Sequence, residues 1–194
     1  MKLTPMSITI SQGLNEIIDS CHELFKKTIA AKDRPKLGEW EIFIPFKWID
    51  TKAEIFWHIG SIEKKSTLDI YPCTNDVASA ICTSNCINGA DTVVLSNGEE
   101  RAKCIYRATR VGWILDIVKM YNETDSRVKY WEKDNSDHRR RIYLRYQEEE
   151  IDYLVVFEKK SDKRVVLITG FPVFFISTKN DLEKDYKKYQ NSIK

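Results

Sequence analysis

RRRIYLRYQEEEIDYLVVFEKKSDKRVVLITGFP, residues 139–172, decides the fold. In 139–146 the alternation puts Arg139, Arg141, Tyr143 and Arg145 on one face and Arg140, Ile142, Leu144 and Tyr146 on the other, a basic face against an apolar one. Residues 153–158 are apolar on both faces, the pattern of a central strand. Ser161, Asp162 and Lys163 supply a turn into a third strand over 165–171, and Pro172 limits further ladder pairing because it has no amide donor. Alternation along that strand sets the Thr169 hydroxyl on the face of Val165 and Leu167. Three successive strands with short polar breaks predict an antiparallel meander.

Outward from the meander the period changes. Downstream, 180–190 reads as a charged helix with Leu182, Tyr186 and Tyr189 at helical spacing. Upstream, 101–121 reads as a helix with Ile105, Ala108, Val111, Leu115 and Val118 on its apolar face. In such a helix Lys103, Arg107 and Arg110 fall at i, i+4 and i+7 and stack three cations on one stripe. Residues 75–97 are rich in Ser, Thr, Asn, Ala and Cys without a period and read as a loop-like insertion with one short helix at most. Residues 41–46 and 54–59 read as strands from their aromatic and β-branched content, which places His58 near a strand end. An amphipathic helix is expected over 11–32, ending before Asp33, Arg34 and Pro35. The expected class is therefore α+β, with an antiparallel sheet core packed by helices and an N-terminal helical extension.

At 194 residues and 42% hydrophobic content the chain can bury a full core. Its net charge of +2 conceals an asymmetry: residues 1–100 carry 10 Lys/Arg against 14 Asp/Glu, residues 101–194 carry 21 against 15. The basic half is the candidate for meeting phosphate. Five cysteines, an odd number, fit reduced thiols better than a disulfide framework. Cys73, Cys82, Cys86 and Cys104 lack the paired knuckles of a zinc site, so no metal and no other cofactor is expected. Neither an N-terminal apolar signal nor a run of eighteen apolar residues occurs, which disfavours standard secretion and membrane spanning.

Little else in the chain than histidine, arginine and a strand hydroxyl could carry covalent chemistry. Cleaving RNA without a metal needs a base for the 2′-OH proton, an acid for the leaving oxygen and cations for the developing charge. Histidine titrates near neutrality, and arginine stays charged and grips phosphate through two parallel hydrogen bonds. His58 is the first proton-transfer candidate; His138, beside Arg139, Arg140 and Arg141, is the second, and His22 reads as a surface or packing residue of the first helix. A cationic strand face with an aromatic in it, Arg139, Arg141, Tyr143 and Arg145, can bind phosphate and stack a base. Each residue also has an ordinary structural role open to it.

Taken in order, Phe56-Trp57-His58-Ile59, then Arg107-Ala-Thr-Arg110-Val-Gly-Trp113, Arg141-Ile-Tyr143-Leu144, Asp152-Tyr153-Leu-Val-Val and Leu167-Ile-Thr169-Gly-Phe171 resemble the phage-borne nucleases of the Barnase–EndoU–Colicin E5/D–RelE superfamily. Gly170 stands where that pattern has alanine, and Lys103-Cys104 where a Pro-Asp pair is expected. The resemblance runs from about residue 54 to 189 and implies an accessory region over 1–53 and a nuclease core over 54–194 with an insertion at 75–97. It implies a metal-independent endoribonuclease of toxin or prophage type that leaves a 2′,3′-cyclic phosphate. His58, Arg107, Arg110, Arg141 and Thr169 would be catalytic, and Lys103, Tyr143, Arg139 and Arg145 would bind RNA. Implied partners are an RNA substrate and a cognate antitoxin or immunity protein, with no membrane and a bacterial cytoplasmic site of action, specialised delivery not excluded. The competing reading is a non-catalytic RNA-binding or partner-binding protein on the same fold.

Overall fold

The structure, a computed structural model, describes residues 1–45, 47–63, 73–74, 76–82, 91–135 and 138–193. The chain forms two compact units, one comprising Met1, Asp33–Pro45 and Ile114–Lys194, the other Lys2–Lys32 and Phe46–Trp113. The boundary between residues 53 and 54 read from the sequence falls inside the second unit.

The first unit is built on the meander. Strands β7 (Val128–Asp134), β8 (Arg140–Glu148), β9 (Ile151–Ser161) and β10 (Arg164–Pro172) are antiparallel neighbours. β1 (Glu41–Phe43) joins parallel to β10, so the order is β1-β10-β9-β8-β7. β9 is central as its composition requires, with Asp152 through Glu158 buried. Helix α5 (Trp113–Asn122) contributes Ile114 to one face, where a Cβ on Gly170 would lie 2.8 Å from the Ile114 side chain and 3.2 Å from the Tyr153 hydroxyl. That close approach explains why position 170 is a glycine. Helix α6 (Ile176–Ser192) covers the other face: Leu182 joins a core of Trp131, Leu154, Val156 and Val173, with Tyr186 and Tyr189 packed against it. Lys129–Glu183 (2.7 Å) and Lys133–Asp185 (2.6 Å) tie the same helix along β7, the sheet's outer strand, shielding an edge that would otherwise invite pairing.

Two expectations for this unit are corrected. The face of β8 carrying Arg141, Tyr143 and Arg145 is not an open basic surface, because α6 lies over it. Tyr143 stacks on buried Trp131 at 5.2 Å, and Arg145 is 2% exposed. Thr169 does not share a face with Leu167, because the ladder shifts register between them: Leu167 opposes Phe157 while Thr169 opposes Val156. The extra residue, Ile168, is a bulge that turns Thr169 to the α6 side.

In the second unit α1 (Leu14–Lys27) buries Ile17, Ile18, Cys21 and Phe25. A short ladder of β2 (Trp48–Ile49) and β3 (Lys52–Ala53) leads into α2 (Glu54–Gly60), and a second sheet has the order β4-β6-β5: β4 (Ser61–Glu63), β5 (Thr92–Val94), β6 (Glu100–Lys103). α3 (Val77–Cys82) and α4 (Ile105–Ala108) complete it.

Three sequence expectations fail here. Residues 54–60 are helical, not extended: Phe56, Trp57, Ile59 and Gly60 fall on one buried helical face, and a Cβ on Gly60 would touch Ala108 at 3.4 Å. Tertiary packing overrides the strand propensity of the aromatics. The helix expected over 101–121 is interrupted: 100–103 pair with β4 and β5, and a turn over 109–112 separates α4 from α5. Lys103, Arg107 and Arg110 thus share no helical stripe. The region 75–97 contributes α3 and β5 to the unit; positions 75 and 83–90 of that region, Cys86 among them, lie outside the described residues.

Candidate active site

His58 sits on the last turn of α2 with Arg101 of β6 at the end of that helix. The Arg101 guanidinium, 3% exposed, donates from Nε to Ser61 Oγ at 2.8 Å and from Nη2 to the carbonyls of Ser61 (3.1 Å) and His58 (3.4 Å), while Nη1 meets the Glu99 carboxylate. Ser61 Oγ in turn donates to the Trp57 carbonyl. Carbonyls at a helix C-terminus lack intrahelical donors, and Arg101 supplies them here. α2 is therefore fixed at the turn that carries His58. Trp57 Nε1 anchors the same helix from its other flank by donating to the Ile49 carbonyl at 2.8 Å.

Burial pushes the His58 imidazole down to about 4, helped by the positive charges of Arg101 and Arg107 and opposed by Glu99 and Glu54. At neutral pH the ring is uncharged and has one nitrogen able to accept a proton. Two buried thiols of the same unit are chemically quiet: burial pushes Cys21 and Cys104 up to about 12, so neither is a thiolate at neutral pH.

The expected site residues are divided between the two units. His58, Arg107, Arg110 and Lys103 belong to the second. Arg107 on α4 is near enough for its charge to bear on His58. Arg110 is committed elsewhere: Nη2 donates to Asp76 Oδ2 at 2.7 Å, Nη1 to the Tyr106 carbonyl at 2.8 Å, and the guanidinium lies 3.5 Å over the Tyr106 ring. Lys103 is buried, donates to Asn15 Oδ1 at 2.9 Å and faces Asp91 at 3.6 Å, which corrects the expectation of an RNA-facing lysine.

Arg141, Thr169, Tyr143, Arg139 and Arg145 belong to the first unit. Arg141 is half-buried on β8, where the Asn135 amide oxygen accepts from its Nε at 2.7 Å and its Nη1 at 2.8 Å. Thr169 is half-buried after the bulge. Arg145 forms a two-pronged pair with Asp152, Nε to Oδ1 at 2.8 Å and Nη2 to Oδ2 at 2.6 Å, and donates to the Lys179 carbonyl of α6 at 3.3 Å. It is a structural tie, not an RNA contact. Arg139 alone of the expected RNA-binding group is well exposed, with 58% of its side chain open.

Of the two roles open to His22, surface or packing, the structure shows packing: it is buried and accepts from the Ala53 amide at Nε2 (3.3 Å) amid Phe25, Trp48 and Phe56. His138 is exposed in the β7–β8 turn with a left-handed backbone, φ 58°. Arg101, Glu99 and Ser61 were not singled out from the sequence.

Among the described residues no three His, Cys, Asp or Glu side chains are placed to hold a metal ion, and no helix is long and apolar enough to cross a membrane. No protein-family model, curated protein or solved structure matches the chain.

Proposed function

We propose that the protein is a metal-independent RNA endonuclease in which His58 takes the 2′-OH proton and Arg107 holds the phosphate under attack: the 2′ oxygen bonds to phosphorus as the P–O5′ bond breaks, and the 5′ oxygen leaves with a proton from water, giving a 2′,3′-cyclic phosphate end. What carries the reading is His58 on a helix end braced by Arg101, with Arg107 near enough for its charge to bear on the buried imidazole. A base held neutral is ready to accept, and a cation beside it favours the charge that builds on the phosphorane. A ring near pKa 4 is a weak base on its own. Substrate corrects this, because a phosphodiester anion placed at Arg107 offsets the positive field and raises the histidine toward neutrality. The five ordered motifs and the helix followed by an antiparallel meander support a nuclease of the Barnase–EndoU–Colicin E5/D–RelE kind. On that reading a cognate antitoxin or immunity protein is the expected partner, in a bacterial cytoplasm. Arg110 would then shape the site through Tyr106 and Asp76. Arg141 and Thr169, named by the same resemblance, are tested by substitution.

The second reading, a non-catalytic RNA-binding or partner-binding protein, draws support from the number of arginines bound to carboxylates: Arg101 to Glu99, Arg110 to Asp76, Arg145 to Asp152. Incubation with total RNA in EDTA, followed by sequencing of the cut ends, separates the two. The nuclease cuts and leaves cyclic phosphates, and His58→Ala lowers the rate about 10²–10⁴-fold. Intact RNA, or full activity in His58→Ala, decides against the mechanism.

A further inference from the structure

One end of the five-stranded sheet gathers the β7–β8 turn, the β9–β10 turn and the start of β1, because the meander is antiparallel and β1 enters parallel to β10. Two buried carboxylates organise the cations there. Glu158, with its side chain 2% exposed, contacts Arg139 at 3.6 Å and Lys160; Glu132, 8% exposed, contacts Lys159 at 2.7 Å and Arg140. Each carboxylate holds two cations, so each cluster keeps one positive charge in excess. The acids are inside, while the side chains of Arg139, Arg140 and Lys160 stay 58%, 53% and 47% exposed. Lys163 and Arg164 add two exposed cations from the second turn, against exposed Asp162 in that turn, Asp134 at the end of β7, and Glu39 and Glu41 at the start of β1, where Glu41 is paired with Arg164. Aromatic rings stand among them: Lys159 Nζ lies 4.5 Å over Trp40, and the Arg164 guanidinium 5.9 Å over Phe43, itself 45% exposed. The opposite end of the sheet turns through exposed Glu149 and Glu150 and repels what this end attracts.

From this arrangement we infer that the turn end of the sheet docks single-stranded RNA, with Arg139, Lys160, Lys163 and Arg164 on successive phosphates and a base stacked on Phe43. Cations whose stems are fixed by buried acids lose little freedom on binding a phosphate. The exposed Phe43 ring beside the cations favours an unpaired strand over a duplex, since only an unpaired base can stack on it. From β8 to β1 the track crosses three strand spacings, about 14 Å. The inference takes RNA as the substrate, as proposed above, but concerns residues of the first unit alone.

The test is fluorescence anisotropy with a labelled single-stranded 2′-O-methyl oligonucleotide, which cannot be cleaved through its 2′ oxygen, titrated across salt concentrations. The triple variant Arg139→Gln/Lys163→Gln/Arg164→Gln leaves Lys160 on Glu158. It is expected to bind about tenfold or more weakly, with a salt slope shallower by about 2, the share of three single-strand phosphates. Phe43→Ala should weaken the oligonucleotide roughly fivefold or more without changing the slope. Glu149→Gln/Glu150→Gln should lose no affinity. An unchanged triple variant overturns the track even if the protein cuts RNA. So does equally tight binding of inorganic polyphosphate or anionic vesicles together with a silent Phe43→Ala. Normal oligonucleotide binding by a protein that cuts nothing would uphold the track while defeating the nuclease.

Discussion

His58 illustrates how far one residue's chemistry depends on neighbours distant in sequence. Burial beside Arg101 and Arg107 holds it near 4 in the folded chain, against an ordinary value of 6.5. Above about pH 6.5 the imidazole is neutral folded or unfolded, and its placement costs nothing through protonation. As pH falls from there toward 4 the unfolded chain takes up the proton first, so stability drops, by up to about 3 kcal/mol, and levels off below the folded value. His22, also lowered chiefly by burial, acts in the same direction. Urea unfolding at pH 7 and pH 4.5 should show the loss, and His58→Gln should remove the larger part of it. A variant with the same pH dependence as the parent would mean that His58 is more hydrated than its surroundings indicate. Sequence alone offered histidine as a residue type and the flanking aromatics as its setting. It could not offer Arg101, which reaches the histidine only because residues 101–103 pair with 61–63.

At the scale of elements, legibility followed period and length. The meander was readable because alternation over several residues has a single geometric solution, and β9 declared itself central by being apolar on both faces. The 100–103 strand was hidden by the helical pattern that begins at Ile105, although Ser96-Asn97-Gly98 between two β-branched or charged runs is a hairpin signal. Gly98 has φ 83°, and Leu95 and Glu99 close the turn through the Leu95 amide and the Glu99 carbonyl at 2.9 Å. What alternation could not reveal was the helix that would cover the basic face of β8. There Arg145 and Asp152 join two strands beneath α6, buried to 2% and 8%. Arg145→Met would take the two-pronged partner from the Asp152 carboxylate, which keeps the longer hydrogen bond from Gln147 Nε2 at 3.3 Å, and should destabilise the chain by about 3–5 kcal/mol. Arg145→Met/Asp152→Leu should recover most of that, because apolar side chains of similar volume replace such a pair at little cost. Equilibrium denaturation of the two variants measures both terms. Equal destabilisation of single and double variants would contradict a buried, desolvated pair. RNA binding should keep its salt slope in either variant, since the guanidinium is closed to solvent.

For the whole molecule the informative feature is how the chain is shared out. Residues 33–45 leave the second unit, add β1 to the edge of the large sheet, and return before β2. The stretch 1–53 is thus no removable accessory. It gives the first unit β1 with Ile42, buried at 4%, and Ile44 just beyond the strand, at 0%, and gives the second unit α1, with Ile17, Cys21 and Phe25 at 0%. A fragment of residues 54–194 would expose the Val165 and Val166 edge of β10 and the surface that α1 buries around Phe56, whose ring meets Phe25 at 5.8 Å. Burying a large apolar side chain is worth about 1.5–3 kcal/mol, so losing several exceeds the margin by which domains of this size stay folded. The fragment is expected to lack a cooperative thermal transition and near-ultraviolet dichroism, and to aggregate through its uncovered edge. Addition of the 1–53 peptide should restore a transition, because the missing strand and helix carry their own apolar faces. A 54–194 fragment that melts cooperatively at the temperature of the full chain would show that the resemblance beginning near residue 54 marks a self-sufficient domain, and that β1 and α1 are ornament.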